Sequence, residues 1–395
     1  MTLSENLESI GDYAFYKCES LTSIVIPDSV TTIGKSAFYG CSYFTNITLS
    51  ENLESIGESA FYGCSSLTNI TIPDSVTTIG YSAFSDCSKL TSITLPNSVT
   101  TIGDFAFSGC SKLTSITLPE NLESIGDYAF YKCSSLTSIT LPNSVTTIGE
   151  WAFSVCSSLT SLTIPDSVTT IGEYAFSGCS SLKTIYCETE SKPVDWSNGW
   201  IYNCSATILW GCIKHGEYNG FTYAIQKLQN ETSVIITGYI GSNTKKTIPN
   251  KIEGYQVKAI GKRVFCNFSS LTSITLPDSV TTIGESAFDG CSKLTSITLP
   301  ENLESIGNYA FYECESLTSI VIPDSVTTIG YSAFYGCRSL KSITIPNNVT
   351  TIGENAFDGC SSLKTIYCEA ESKPVGWNND WNNYCYAEVV WGYKN

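Results

Sequence analysis

A phenylalanine returns every 23 residues along this chain, and a fixed period of that length admits few folds. It stands at Phe15, Phe38, Phe61, Phe84, Phe107, Phe130, Phe153 and Phe176, and three residues on a cysteine answers it each time, from Cys18 to Cys179. After an interruption the beat resumes at Phe265, Phe288, Phe311, Phe334 and Phe357, with Cys291, Cys314, Cys337 and Cys360 behind all but the first. Thirteen segments of one length, each too short to enclose its own apolar groups, fold by stacking on one another as the coils of a solenoid.

The stretch from Leu90 to Lys112 shows what one coil holds. Leu90, Ile93 and Leu95 carry the spacing LxxLxL, whose end alternates apolar and polar as a strand with one buried face does. Ile93 and Leu95 face inward and Ser92 and Thr94 outward; Pro96, with no amide hydrogen to give, ends the strand. Val99 and Ile102 make a second inward-facing stretch. A glycine follows, Gly103, and one holds this column in every coil from Gly11 to Gly353, which predicts a turn with positive φ. Ala106, Phe107 and Cys110 have the spacing of a short helical turn with one apolar side. With coils stacked at about 4.8 Å, each buried residue meets its own copy above and below, so the Phe column predicts a spine.

The consensus LTSITIPDSVTTIGxxAFxxCSS resembles the BspA-like leucine-rich repeat, the type called LRR_5, at its Leu, Ile, Pro, Val, Gly, Ala, Phe and Cys positions across both blocks of coils. That resemblance implies a β-rich leucine-rich-repeat solenoid of the α/β class: a right-handed superhelix with a parallel sheet on its concave face and short helical turns. It also implies a bacterial or protist surface protein that binds host or neighbouring-cell proteins, with no catalytic residues in the pattern.

The period breaks twice in the same way, at Leu182 to Gly211 and again at Leu363 to Gly392. An open solenoid end exposes apolar surface and unpaired strand groups, so these segments read as caps, closed by Trp196, Trp200 and Trp210 and by Trp377, Trp381 and Trp391. An aromatic ligand site is the alternative. Residues 215–261 alternate like short strands and resemble the β-hairpin opening of such arrays. The expected organisation is two blocks. Residues 1–212 hold eight coils and a cap, beginning mid-coil and without an opening hairpin; residues 213–395 hold the hairpin, five coils and a cap.

The charge of −16 disfavours nucleic acid as a partner. Membrane insertion is not expected either, because no apolar run approaches the roughly 20 residues a spanning helix needs. Of 18 cysteines, twelve fall in the repeating column and read as buried free thiols. A disulfide within Cys187/Cys204 and within Cys368/Cys385 stays open on spacing alone. The one histidine, His215, reads as a solvated linker residue, and no motif calls for a cofactor, a metal or an enzyme. Two acidic rows, one after the strand-ending Pro (Asp28, Glu51, Asp74, Glu120) and one before the Ala-Phe step (Asp104, Asp127, Glu150, Glu173), read as solvated edges, with weak Ca²⁺ binding or a basic partner as alternatives.

Two surfaces are candidates for ligand binding. The outward rows of the first strand carry Ser23, Val25, Asn46, Thr48, Asn69, Thr71, Ser92, Thr94, Ser115, Thr117, Ser138 and Thr140. The column before Ala-Phe carries Phe105, Tyr128, Trp151 and Tyr174, with Tyr13 and Tyr309 apart. The expected function is a non-catalytic scaffold that binds a host, matrix or cell-surface protein, at the cell surface or outside the cell; the alternative is a stalk that displays another domain.

Overall fold

The computed structural model describes residues 3–394, and the chain divides into two compact units, 1–211 and 212–395. Each is a solenoid of parallel strands built on the same coil. In the first unit the strands Ser9–Ile10, Thr32–Ile33, Ser55–Ile56, Thr78–Ile79, Thr101–Ile102, Ser124–Ile125, Thr147–Ile148 and Thr170–Ile171 pair side by side into one eight-stranded sheet. Their register advances by one coil at each step, Ser9 to Thr32 and Ile10 to Ile33. The second inward-facing stretch therefore carries the continuous ladder. The LxxLxL stretch pairs in pieces, such as Ser23–Val25 with Asn46–Thr48 and Ser92–Thr94 with Ser115–Thr117. Where strands are this short, side chains join the coils in addition to backbone bonds such as Thr91 N to Thr68 O at 3.0 Å. Thr91 and Thr114 each donate a hydroxyl to the preceding coil's Thr carbonyl, at 3.1 and 3.0 Å, and Ser144 reaches the carbonyl of Leu122 at 2.6 Å.

The interior is a stack of like on like. Phe38, Phe61, Phe84, Phe107, Phe130, Phe153 and Phe176 are fully buried, with successive rings 5.1–5.5 Å apart and within 10° of parallel. Phe265 to Phe357 repeat this in the second unit at 5.3–5.4 Å. Beside them runs the cysteine ladder. Each buried thiol donates to the carbonyl of the preceding coil's Phe, as Cys133 does to Phe107 at 3.2 Å, so the one polar group of this column is satisfied.

Two expectations for the turn after the second strand are corrected. Among the described residues there is no helix; Ala106, Phe107 and Cys110 lie on a run of tight turns instead. Amides alternate between two duties along it. Ala106, Ser108 and Cys110 bond three residues back in their own coil, while Phe105, Phe107 and Gly109 bond the carbonyls of Asp127, Ala129 and Tyr131 in the next. That alternation requires φ of 58° at Phe105 and 74° at Gly109, which a helix forbids. The Gly103 column, in turn, does not hold positive φ. A Cβ on Gly103 would stand 3.0 Å from the carbonyl carbon of Gly80 and the oxygen of Ile79, so glycine is required by the close approach of the preceding coil's backbone.

The ends are closed as copies of one another. Trp200 takes the next place on the Phe spine, 5.8 Å from Phe176 and edge-on at 86°, and Trp381 does the same to Phe357 at 5.8 Å and 89°. Trp196 and Trp377 are buried and donate their indole N–H to Val168 and Val349 at 3.2 and 2.9 Å. One of the differences between the two caps concerns a buried hydroxyl. Thr189 Oγ1 is buried without a hydrogen-bond partner, where the second cap has Ala370. Thr189→Ala should therefore stabilise the first unit by about 1 kcal/mol in urea unfolding, and a loss of stability would contradict this packing.

The second unit opens with antiparallel strands Cys212–Tyr218, Phe221–Leu228 and Glu231–Tyr239, the last pairing in parallel with Tyr255–Ile260, from which the coil ladder continues. Phe221 and Tyr239 cover Phe265, the first spine ring, at 6.4 and 5.6 Å. His215 is therefore not in a linker: it lies in the first of these strands, opposite Ala224.

Candidate functional site

All twelve outward residues of the first strand, from Ser23 to Thr140, are exposed in rows one coil apart. Ser23 faces Asn46 and Val25 faces Thr48; Ser92 faces Ser115, and Thr94 has Thr71 on one side and Thr117 on the other. The rows are polar apart from Val25, an exposed apolar side chain. Short hydroxyl and amide side chains on a ladder make hydrogen bonds of one kind at every step, so this face offers little discrimination between partners.

The Ala-Phe turn presents a different surface. Phe105 and Tyr128 lie face to face at 4.6 Å and 3°, Tyr128 and Trp151 at 5.9 Å and 7°, and Trp151 and Tyr174 at 4.5 Å and 36°. Each of the four is half-buried. Two tyrosines extend the strip: Tyr81, 48% exposed, lies 5.5 Å from Phe105, and Tyr202, 58% exposed, lies 5.5 Å from Tyr174. The structure thus joins four predicted residues with two that the sequence reading passed over. Tyr81 stands one position before the column and Tyr202 belongs to the cap, so neither keeps the beat. Tyr13 and Tyr309 are not part of the strip; Ser36, Ser59 and Ser82 hold the column between Tyr13 and Phe105, and Tyr309 belongs to the second unit.

The strip is held in costly backbone. Phe105, Tyr128, Trp151 and Tyr174 have φ of 54–58°, a region that costs a residue with a Cβ roughly 1–2 kcal/mol and that glycine enters freely. No coil uses glycine there. The ring contacts above and below offset that cost, at about 0.5–1.5 kcal/mol for each stacked pair. A second, shorter aromatic ladder, Tyr16, Tyr39 and Tyr62, runs one residue after the Phe spine, with rings 5.0 and 4.6 Å apart. It was legible as three successive tyrosines in one column. The hydroxyl of Tyr62 is pushed up to about 12 by its hydrogen bond to Asp86, by burial and by the charge of that carboxylate.

The acidic row beside the strip has a part in the fold. Asp104 Oδ1 accepts the amide of Asp127 at 2.9 Å, and Asp127 Oδ1 accepts that of Glu150 at 2.7 Å; Asn308 does the same for Tyr331 in the second unit at 2.8 Å. A short side chain ending in a carbonyl-type oxygen reaches the next coil here. Glutamates in the same column leave that bond unmade.

The family model for the BspA type leucine rich repeat region matches residues 8–133, 100–207 and 258–385, which together take in most of the chain. The chain belongs to the BspA-type leucine-rich repeat family. Its coils carry the family repeat in both units, and the family is one of repeat scaffolds that serve protein interaction. Similar solved structures include a leucine-rich repeat protein from Bacteroides ovatus, 31% identical over 98% of this chain and 87% of that one, with a TM-score of 0.44. Another is a leucine rich cell surface protein from Faecalibacterium prausnitzii, at 31% identity over 98% and 87% and a TM-score of 0.37. A third is the pneumococcal vaccine antigen PcpA, at 23% identity over 94% and 80% and a TM-score of 0.37. No curated protein matches the chain. Among the described residues no helix is long and apolar enough to cross a membrane.

The thiols of this BspA-type repeat carry a testable pH dependence. Burial pushes Cys179 and Cys291 up to about 12 from an ordinary 9.0. The folded state therefore holds protons that the unfolded state gives up above pH 9, so the thiols' contribution is complete below that pH and is lost as pH rises towards the folded values. Thermal melts should show Tm falling as the pH climbs from about 9 to about 11. A Tm unchanged over that window would contradict thiols sealed in the core.

Proposed function

We propose that this chain is a non-catalytic protein-binding scaffold, an adhesin-type module working at a cell surface on a host, matrix or neighbouring-cell protein. The observation that carries the reading is the half-exposed strip from Tyr81 to Tyr202: six rings in a row, on coils whose strand rows are short and polar. Tyr and Trp are the residue types that most often dominate an interface, since they bury much area at little entropic cost. The uniform Ser, Thr and Asn rows favour a second reading, a stalk that holds another domain away from the cell, because nothing on them distinguishes one partner from another.

The two separate on one variant. Phe105, Tyr128, Trp151 and Tyr174 are replaced together by Ser, the residue that Ser36, Ser59 and Ser82 already place in this column at φ of 50–53°. Immobilised matrix and cell-surface proteins are then titrated with both forms. An adhesin-type module binds at least one of them saturably and loses affinity tenfold or more in the variant. Binding that is absent, or equal in both forms, contradicts the proposal and leaves the stalk.

A further inference from the structure

A carboxylate stands immediately before each of four successive rings: Asp104 before Phe105, Asp127 before Tyr128, Glu150 before Trp151 and Glu173 before Tyr174. Two other carboxylates of this column are neutralised, whereas among the described residues Asp12 and Glu354 take part in no ion pair. Lys35 pairs with Glu58 at 2.8 Å in the first unit and Lys262 with Glu285 at 3.0 Å in the second. Among the described residues no ion pair involves the four carboxylates of the strip. Charge is left unbalanced at the coils where the aromatics gather.

The geometry of the rings narrows what can lie on them. Face-to-face stacking uses up the ring faces within the strip and turns the edges outward. A sugar or a flat heterocycle, which binds by covering a ring face, finds none free between Phe105 and Trp151. Side chains with an aliphatic stem and a cationic head fit, since the stem packs along ring edges while the head meets a carboxylate. At about 4.8 Å per coil the four carboxylates extend over roughly 14 Å, the length of about four residues of extended chain.

We infer that the strip holds an extended cationic protein segment, with Arg or Lys heads on Glu150, Glu173 and the free oxygens of Asp104 and Asp127, and their stems along the ring edges. The inference rests on the protein-binding reading and names the chemistry of the partner. Asp104 and Asp127 serve twice, one oxygen bonding the next coil and the other facing the partner, and Glu173 likewise accepts the Tyr174 hydroxyl while offering its second oxygen.

The probe is an octapeptide of alternating Arg and Pro, already extended in solution, with an alternating Glu and Pro octapeptide as control. The test variant combines Asp104→Asn, Asp127→Asn, Glu150→Gln and Glu173→Gln. Asn keeps the oxygen that bonds the next coil, as Asn308 does, so the fold survives while four charges go. Binding is read by calorimetry and by the fluorescence of Trp151, the one Trp of seven outside the caps. The Arg peptide should bind and perturb Trp151, weaken at least tenfold between about 50 and about 500 mM NaCl, and weaken at least tenfold in the variant; the Glu peptide should not bind. An Arg peptide that fails to bind, or that binds the variant as tightly, overturns the inference. If that happens while the Ser variant still loses a surface protein, the protein-binding reading stands and only the cationic partner falls.

Discussion

Phe107→Ala should cost the first unit about 3–5 kcal/mol of unfolding free energy. Phe107 is fully buried and lies between Phe84 and Phe130, with ring centres 5.5 Å away on each side. Its removal takes away roughly 1.5–3 kcal/mol of burial and two stacking contacts, and it leaves a cavity that rigid coils above and below cannot close. Phe15→Ala is the internal comparison. That ring has a partner on one side only, Phe38 at 5.0 Å, and is half-exposed, so its truncation should cost less than half as much. Urea unfolding of the two variants checks this. Equal losses would mean that stacking on both sides contributes nothing.

Gly57→Ala should destabilise by about 3 kcal/mol, while Gly11→Ala, in the same column, should be close to neutral. A Cβ on Gly57 would stand 2.7 Å from the carbonyl carbon of Gly34 and 2.8 Å from the oxygen of Ile33, both backbone atoms of the coil before it. Neither can yield without parting two coils that are bonded at Gly57 N to Ile33 O, 2.9 Å. Gly11 has nothing within 4 Å of its Cβ position, and neither glycine has positive φ. Were backbone freedom the reason for glycine in this column, both variants would suffer alike. Circular dichroism melts of the pair separate the two explanations.

These contrasts show why some features were legible and others were not. The inward residues of a coil, Ile93, Leu95, Val99, Ile102, Phe107 and Cys110, follow from apolar spacing and recurrence, and all are buried. The local conformation of the turn does not follow. Ala106, Phe107 and Cys110 have the i, i+1, i+4 spacing of one helical side, yet the coil uses that spacing with φ positive at Phe105 and Gly109. An aromatic residue carries no signal for such a φ, and what holds it there is the carbonyl ladder of the next coil, a tertiary contact. The same limit applied to the strip. Phe105, Tyr128, Trp151 and Tyr174 shared a column, whereas Tyr81 and Tyr202 reach it from other positions and only the fold brings them in. Asp104 and Asp127 read as surface charge because a bond from a side chain to the next coil's amide leaves no mark in a single coil's pattern.

Register between coils underlies each of these effects, and deletion of one coil tests it most directly. Removing residues 90–112 joins Lys89 to Leu113 and takes out one 23-residue period, so the strand, ring and thiol on either side of the cut meet equivalent partners and all other coils keep their neighbours. Removing residues 90–101 takes out only about half as many residues but breaks the period. In urea unfolding followed by circular dichroism, the first variant should keep a cooperative transition and native-like β signal, and the second should lose the cooperative transition of the first unit. Equal damage from both deletions would contradict a fold made of identical side chains stacked in register.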